Sequence, residues 1–568
     1  MLDCIIRNAR VIDGTGAPWH RGDIGVAGGK VAMIGNLSGM TGKVEYDAHD
    51  HYLAPGFIDI HAHSDETLWA YPQAESRILQ GVTTDIGGNC GTSPCPINPR
   101  YLSDLRTELG EDMPIEWDDM KGFLRFLEEK TISTNFGCLV GHGTLRCAVK
   151  GYSPEKLTSK EMGKLKELAA QALYDGAFGL TSGLIYPPGS FSDSSEMIEV
   201  LEAVRECGGY YATHMRNESS QLIESVREAL QVARAAGVPL QISHHKSLCK
   251  ELWRTAVRET TAMIEQARAE GLDVMCDQYP YNASSTGISS NLPGWAFEGG
   301  FDEFLTRIHT PDVRARMISQ ADQSHLGRWQ DIHVAYVKSE KNQWMLGQNV
   351  VELGKTLGKT PADVVIDLVE EERNCVNEVD FGMCEEDIEY IMQKPYVAIC
   401  SDGQALSLEA VGQPHPRHFG AFTRVLSHYS RDRGLFPLET AVQKMTSLPA
   451  SRIGLQDRGL LRIGMWADMV QFDLAVLDSA PTYSAPKQAS PGIERVFVNG
   501  VLPFLRAVWD VVKACEFSKE VRNFYHACAV CSVRCDYSLH THKFFGQQVI
   551  CLLELGAHII WQVCPDAE

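Results

Sequence analysis

Basic residues are in short supply: 52 Lys and Arg stand against 73 Asp and Glu, for a net charge of −21. That balance repels a polyanion, and no basic run or basic-aromatic stripe offsets it, so nucleic acid is excluded as a partner. Long apolar runs are missing too. The longest near the end, Val549 to Val563, carries Glu554 and His558 and falls short of the roughly 20 residues needed to span a bilayer, so no membrane partner is expected. The opening, Met1-Leu2-Asp3-Cys4-Ile5-Ile6-Arg7, has no apolar stretch of signal-peptide length and passes directly into strand-like alternation. A cytoplasmic protein is expected. Without a secretory signal, the cysteines read as reduced thiols rather than as a disulfide framework.

At 568 residues with 44% apolar content, the chain suits one large enzyme domain with appendages, or two to three domains. Eight segments read as strands: Gly56 to His63, Gly81 to Gly87, Asn135 to His142, Ala177 to Gly183, Gly209 to His214, Pro239 to His244, Leu272 to Tyr279 and Pro395 to Asp402. Helical patterns lie between several of them. Thr158-Ser159-Lys160-Glu161 matches a capping box, and Asp193 through Cys207 runs amphipathically into Gly208-Gly209. Such alternation predicts an α/β fold with parallel strands closed into a (β/α)8 TIM-like barrel, whose active residues sit at the carboxyl ends of the strands. The barrel is expected over 55–446. The interval after the seventh strand is too long for one helix, and Asn282 to Trp344 reads as an inserted lid. Residues 1–54 and 447–501 show short strands with turns at Asp13-Gly14 and Gly28-Gly29, and both flanks are expected to combine in a small β-sandwich.

Candidate metal ligands recur at the strand ends. His61 and His63 alternate on one strand and so point to the same side, as a pair of zinc ligands would. Cys90 lies in a Gly-Asn-Cys-Gly turn whose small neighbours leave room for a metal. His142 ends the third segment. His214 ends the fifth, while at the sixth either His244 or His245 can face inward; Leu240 and Ile242 share a face with the first, Gln241 and Ser243 with the second, and periodicity does not choose. Asp402 ends the eighth and has the chemistry of a general base toward metal-activated water.

These motifs resemble the amidohydrolase superfamily and, more narrowly, the N-acyl-D-amino-acid deacylases, or D-aminoacylases. The resemblance runs from Met1 to about Val501. It rests on Gly56-Phe57-Ile58-Asp59-Ile60-His61-Ala62-His63, Gln80-Gly81-Val82-Thr83-Thr84, Gly88-Asn89-Cys90-Gly91, Gly141-His142-Gly143-Thr144-Leu145-Arg146, His214-Met215-Arg216-Asn217-Glu218, Ser243-His244-His245-Lys246 and His415-Pro416-Arg417. It implies a tight zinc held by Cys90, His214 and His244, with His61 and His63 at a second, weaker site. It also implies Asp402 as the base, and Lys246, Arg417, Tyr279 and Ser285 as contacts for a small-molecule substrate, an N-acyl-D-amino acid whose linear amide is hydrolysed.

The strand-four segment Gly176 to Gly183 contains no lysine, whereas cyclic-amide hydrolases of the same superfamily commonly use a carboxylated lysine there. The rival readings are such a cyclic-amide hydrolase and a catalytically silent scaffold. Beyond Val501 the resemblance stops. Residues 502–568 read as an atypical extension, in which Cys528, Cys531, Cys535, His540 and His542 fit no standard zinc finger. Trp344 and Met345 point to an apolar substrate pocket.

Overall fold

The computed structural model describes residues 1–505 apart from Glu111; the Cys528 to His542 group lies outside them. Eight short parallel strands form the central barrel: β1 Phe57–Asp59, β2 Val82–Gly87, β3 in two pieces, Asn135–Cys138 and Val140–Gly141, β4 Gly179–Gly183, β5 Tyr210–His214, β6 Leu240–Ile242, β7 Val274–Gln278 and β8 Val397–Ile399. The first piece of β3 pairs with β2 and the second with β4. From β4 the ladder runs through β5, β6 and β7 to β8. Backbone contacts just past β8 and β1 complete the ring: Asp402 N–H donates to the His61 carbonyl at 2.9 Å, and His63 N–H to that of Gly403 at 2.8 Å.

Nearly every barrel-strand residue is buried, as in parallel sheets covered by helices on their outer face. The helices between strands follow local signals. Thr158 and Glu161 form the capping box that opens Ser159–Tyr174, and Asp193 accepts from Ser195 N–H and Glu196 N–H to start Ser194–Glu206. Leu222–Ala236 stops at Gly237, whose φ of 72° suits the left-handed helix end. Among the described residues, no helix is long and apolar enough to cross a membrane.

Both flanks of the barrel meet in one eight-stranded sheet. Leu2–Val11 is its hub, antiparallel to His20–Ala27 and parallel to Gly42–Asp47 and Tyr52–Pro55. Tyr52–Pro55 in turn pairs with Met469–Phe472, and Ile493–Val498 follows. Ile6, Val11, Ile24, Leu53, Met469 and Phe497 share one buried cluster, so burial as well as hydrogen bonding ties the two sequence ends together.

Between β7 and β8 the chain leaves the barrel for a unit with its own core, which includes Phe297, Phe304, Trp329, Ile332 and Val365. Its antiparallel sheet places Val376–Asp380 between Ser284–Gly287 and Ile332–Val337. Long-range pairing carries this unit well past Trp344. Trp344 itself is 45% exposed, and Met345 belongs to the inserted core.

Candidate metal centre

The expected strands reached all the way to the ligand residues, but β1, β6 and β8 stop short of them. The reason is local. At β6 and β8, His244 and Asp402 adopt left-handed backbone conformations, with φ of 34° and 51°, which break the ladder; Cys90, in the turn after β2, does the same at 54°. Non-glycine residues pay for that geometry, and such strain concentrates at functional sites.

Four of these side chains converge. Ligand atoms of His61, Cys90, His244 and Asp402 all lie within 4.8 Å of one another, and His214, Glu218 and His244 form a second such group. Cys90 Sγ stands 3.4 Å from both His61 Nε2 and His244 Nε2. Asp402 Oδ1 is 3.4 Å from His61 Nε2 and 3.2 Å from His63 Nε2, so the His-x-His pair does point to one side. His214 packs edge-on against His244, with ring centroids 4.5 Å apart; its Nε2 lies 3.4 Å from Glu218 Oε2, and its buried Nδ1 lacks a hydrogen-bond partner. A buried imidazole nitrogen without a partner is costly unless something absent from the polypeptide occupies it. His142 does not join; its Nε2 meets Glu196 at 3.0 Å.

The choice left open at β6 is resolved by direction. His244 faces the cluster, whereas His245 Nε2 contacts the Thr260 hydroxyl at 2.9 Å, on the covering helix Ala256–Ala269. Two carboxylates without a role in the sequence reading hold the imidazoles. Asp277 Oδ1 lies 3.2 Å from His61 Nδ1 and accepts from His244 N–H at 2.7 Å; Glu218 Oε1 lies 3.0 Å from His244 Nδ1. Such partners fix imidazole tautomer and orientation in metal sites. Asp277 shares the alternation of Tyr279 at the end of β7, and Glu218 lies four residues beyond His214 in the loop after β5; those spacings were the available signals.

The electrostatics favour charge in the cluster. Burial pushes the Cys90 thiol up, but the nearby His61 and His244 more than reverse this, leaving it well below the usual thiol range. Burial pulls His61 and His63 down, yet Asp277 beside the first and Asp402 beside the second carry both well above the usual imidazole range. Burial lowers His214. Asp402 is destabilised by burial but held well below the carboxylate range, chiefly by Arg417. Arg417 donates to Asp402 Oδ2 at 2.8 Å and to the Ser285 carbonyl at 2.9 Å.

The remaining predicted contacts collect around Tyr279. Lys246 Nζ lies 5.9 Å and Arg417 Cζ 4.9 Å from the centre of its ring, and the Tyr279 hydroxyl donates to Met383 sulfur. Lys246 also pairs with Glu218 at 2.5 Å. Ser285 offers its carbonyl to Arg417 while its hydroxyl donates to the Glu378 carbonyl.

Thiol, imidazole and carboxylate donors grouped at the carboxyl ends of barrel strands define the class of metal-dependent barrel hydrolases. The chain belongs to the amidohydrolase family, which matches residues 44–327 and 410–503. It is 35% identical to the D-aminoacylase of Alcaligenes xylosoxydans xylosoxydans, over 88% of this chain and 94% of that one. The N-acyl-D-glutamate deacylase of the same organism is also 35% identical, over 89% of this chain and 94% of its own. A crystal structure of N-acyl-D-glutamate deacylase from Bordetella bronchiseptica, complexed with zinc and a phosphonate mimic of the reaction tetrahedral intermediate, aligns with a TM-score of 0.77. Its identity is 31%, over 89% of this chain and 96% of that one.

Proposed function

We propose that this protein is a zinc-dependent hydrolase that cleaves the linear amide of N-acyl-D-amino acids, releasing a carboxylate and a free D-amino acid. The observation that carries the reading is the 2.8 Å pairing of Arg417 with Asp402. A cation suited to a carboxylate stands against a candidate base, as a substrate bearing its carboxylate one carbon from the scissile nitrogen requires. β4 supplies Leu180, Thr181 and Ser182 and no lysine, which disfavours the cyclic-amide alternative.

The donor set fits zinc: one thiol with a lowered pKa, a group of imidazoles of which burial keeps His214 neutral, and carboxylates behind them. Cys90, His214 and His244 hold the tight ion in this reading, and His61 and His63 the weaker one. When bound, zinc supplies a Lewis acid and lowers the pKa of water to about 7. Asp402, kept ionised by Arg417, takes the proton of the attacking water and returns it to the departing amine. Arg417 Nε is buried without a partner, leaving one donor for the substrate carboxylate while the guanidinium stays on Asp402. Lys246 and the Tyr279 ring flank that position, and Ser285 fixes the guanidinium through its carbonyl. The inserted unit contributes Ser285 and so reaches the mouth as a lid would. The dependence on a reduced Cys90 agrees with a cytoplasmic location.

The test is amine release from matched N-acetyl-D- and N-acetyl-L-methionine, and from N-acetyl-D-glutamate, by zinc-loaded protein. Cleavage of D substrates alone is expected; cleavage of hydantoins or dihydropyrimidines with none of the linear D substrates would overturn the reading.

A further inference from the structure

Around the ring of strands, the proposed carboxylate anchors occupy one arc: Lys246 follows β6, Tyr279 follows β7 and Arg417 follows β8. On the opposite arc, a pocket opens beside Cys90 between the loops after β2, β3 and β4. Its wall includes Leu105, Thr144, Cys147, Tyr152, Tyr186 and Pro188, and beyond Cys90 at its mouth the lining holds no acidic or basic side chain. Two of its hydroxyls are engaged elsewhere: Thr144 bonds with the Ser93 backbone at 2.9 and 3.1 Å, and Tyr186 with the Thr286 hydroxyl at 3.0 Å. The neck is narrow because three glycine backbones touch. A Cβ on Gly91 would stand 2.3 Å from Gly183 N, and one on Gly143 2.8 Å from Gly91 O.

Resting on the deacylase reading, we infer that this pocket is the subsite for the acyl group and that it selects short, uncharged acyl chains. With the scissile carbonyl at the Cys90–His244 cluster and the amino-acid carboxylate at Arg417, the acyl substituent of a linear amide extends the opposite way. That direction leads past Cys90 into the pocket. Leu105 and Cys147, both buried, close its far side and set the chain length it accepts.

The experiment compares kcat/KM for N-acetyl-, N-butanoyl- and N-hexanoyl-D-methionine in zinc-loaded wild type, Leu105→Ala and Cys147→Leu. Wild type favours acetyl over hexanoyl. Leu105→Ala raises the hexanoyl-to-acetyl ratio about tenfold, the lower end of what a few methylenes contribute in an apolar pocket. Cys147→Leu lowers the butanoyl-to-acetyl ratio. These opposite shifts separate a subsite effect from a general loss of folding. An acyl preference unmoved by both variants overturns the assignment. If wild type cleaves none of the D-methionine series, the same acyl series is run on D-glutamate; no cleavage of either series overturns the deacylase reading and this assignment with it.

Discussion

Arg417 and Asp402 form a buried ion pair in which the guanidinium holds one carboxylate oxygen at 2.8 Å while the other faces His61 and His63. The two oxygens therefore serve different partners. Neutralising the carboxylate keeps its shape and its contacts but removes the proton acceptor. Asp402→Asn is expected to lower kcat by at least about 10²–10⁴-fold, the usual contribution of a general base, with zinc still bound. Turnover and metal content measured on the same preparation check this; near-normal turnover would remove Asp402 from the mechanism.

Arg417 works through a planar fork, with one nitrogen on Asp402, one on the Ser285 carbonyl and Nε unpartnered. A lysine there keeps the charge and loses the fork. Arg417→Lys is expected to reduce kcat/KM by about 10–100-fold, equivalent to about 1.4–2.8 kcal/mol, mainly through KM. Steady-state kinetics with N-acetyl-D-methionine measure it. A change in kcat alone would assign Arg417 to holding the base rather than the substrate.

Much of this site was readable because each candidate ligand lies at or just past the end of a strand, and a period of two marks which side a strand residue faces. His61, Cys90, His214 and Asp402 each stand where a barrel strand gives way to its loop. Periodicity failed where both faces of a strand are buried. Leu240, Gln241 and Ile242 are all covered, so no polar alternation separated His244 from His245; the family resemblance chose His244, and the contact of His245 with Thr260 agrees. Asp277 and Glu218 had no motif of their own, because a single buried carboxylate gives no periodic signal. The strand ends were misjudged because left-handed turns at His244 and Asp402 leave little trace in side-chain pattern. The inserted unit was underestimated for a different reason: Ser284–Gly287 finds its partner Val376–Asp380 about ninety residues on, a pairing that no local window contains.

Metal and fold are coupled wherever a buried donor has no partner in the polypeptide, as at His214. Zinc supplied at 100 times its Kd is expected to stabilise the native state by about 2.7 kcal/mol. Cys90→Ser removes the soft donor and should abolish most of that increment at the same zinc concentration. Thermal unfolding of chelator-treated and zinc-loaded protein, wild type and variant, reads the difference directly. An equal zinc-induced rise in both would place the ion away from Cys90.

Beneath the cluster, fully buried Arg77 stands between two carboxylates. Its NH1 is 3.1 Å from Asp59 Oδ2 and donates to the Ser401 hydroxyl at 2.6 Å, while its Nε is 3.2 Å from Asp85 Oδ2. Asp59 Oδ1 in turn accepts from Ser401 N–H at 3.0 Å, tying the start of the His61 segment to the start of the Asp402 segment. Removing one partner of a buried ion pair leaves the other charge uncompensated and costs about 3–5 kcal/mol. Arg77→Met is therefore expected to destabilise the fold by that amount, and adding Asp59→Asn and Asp85→Asn should recover part of the loss by removing the stranded charges. Denaturant unfolding of the single and triple variants measures both steps. If Arg77→Met alone costs less than about 1 kcal/mol, the size expected of an exposed pair, the network is not what joins β1 to β8.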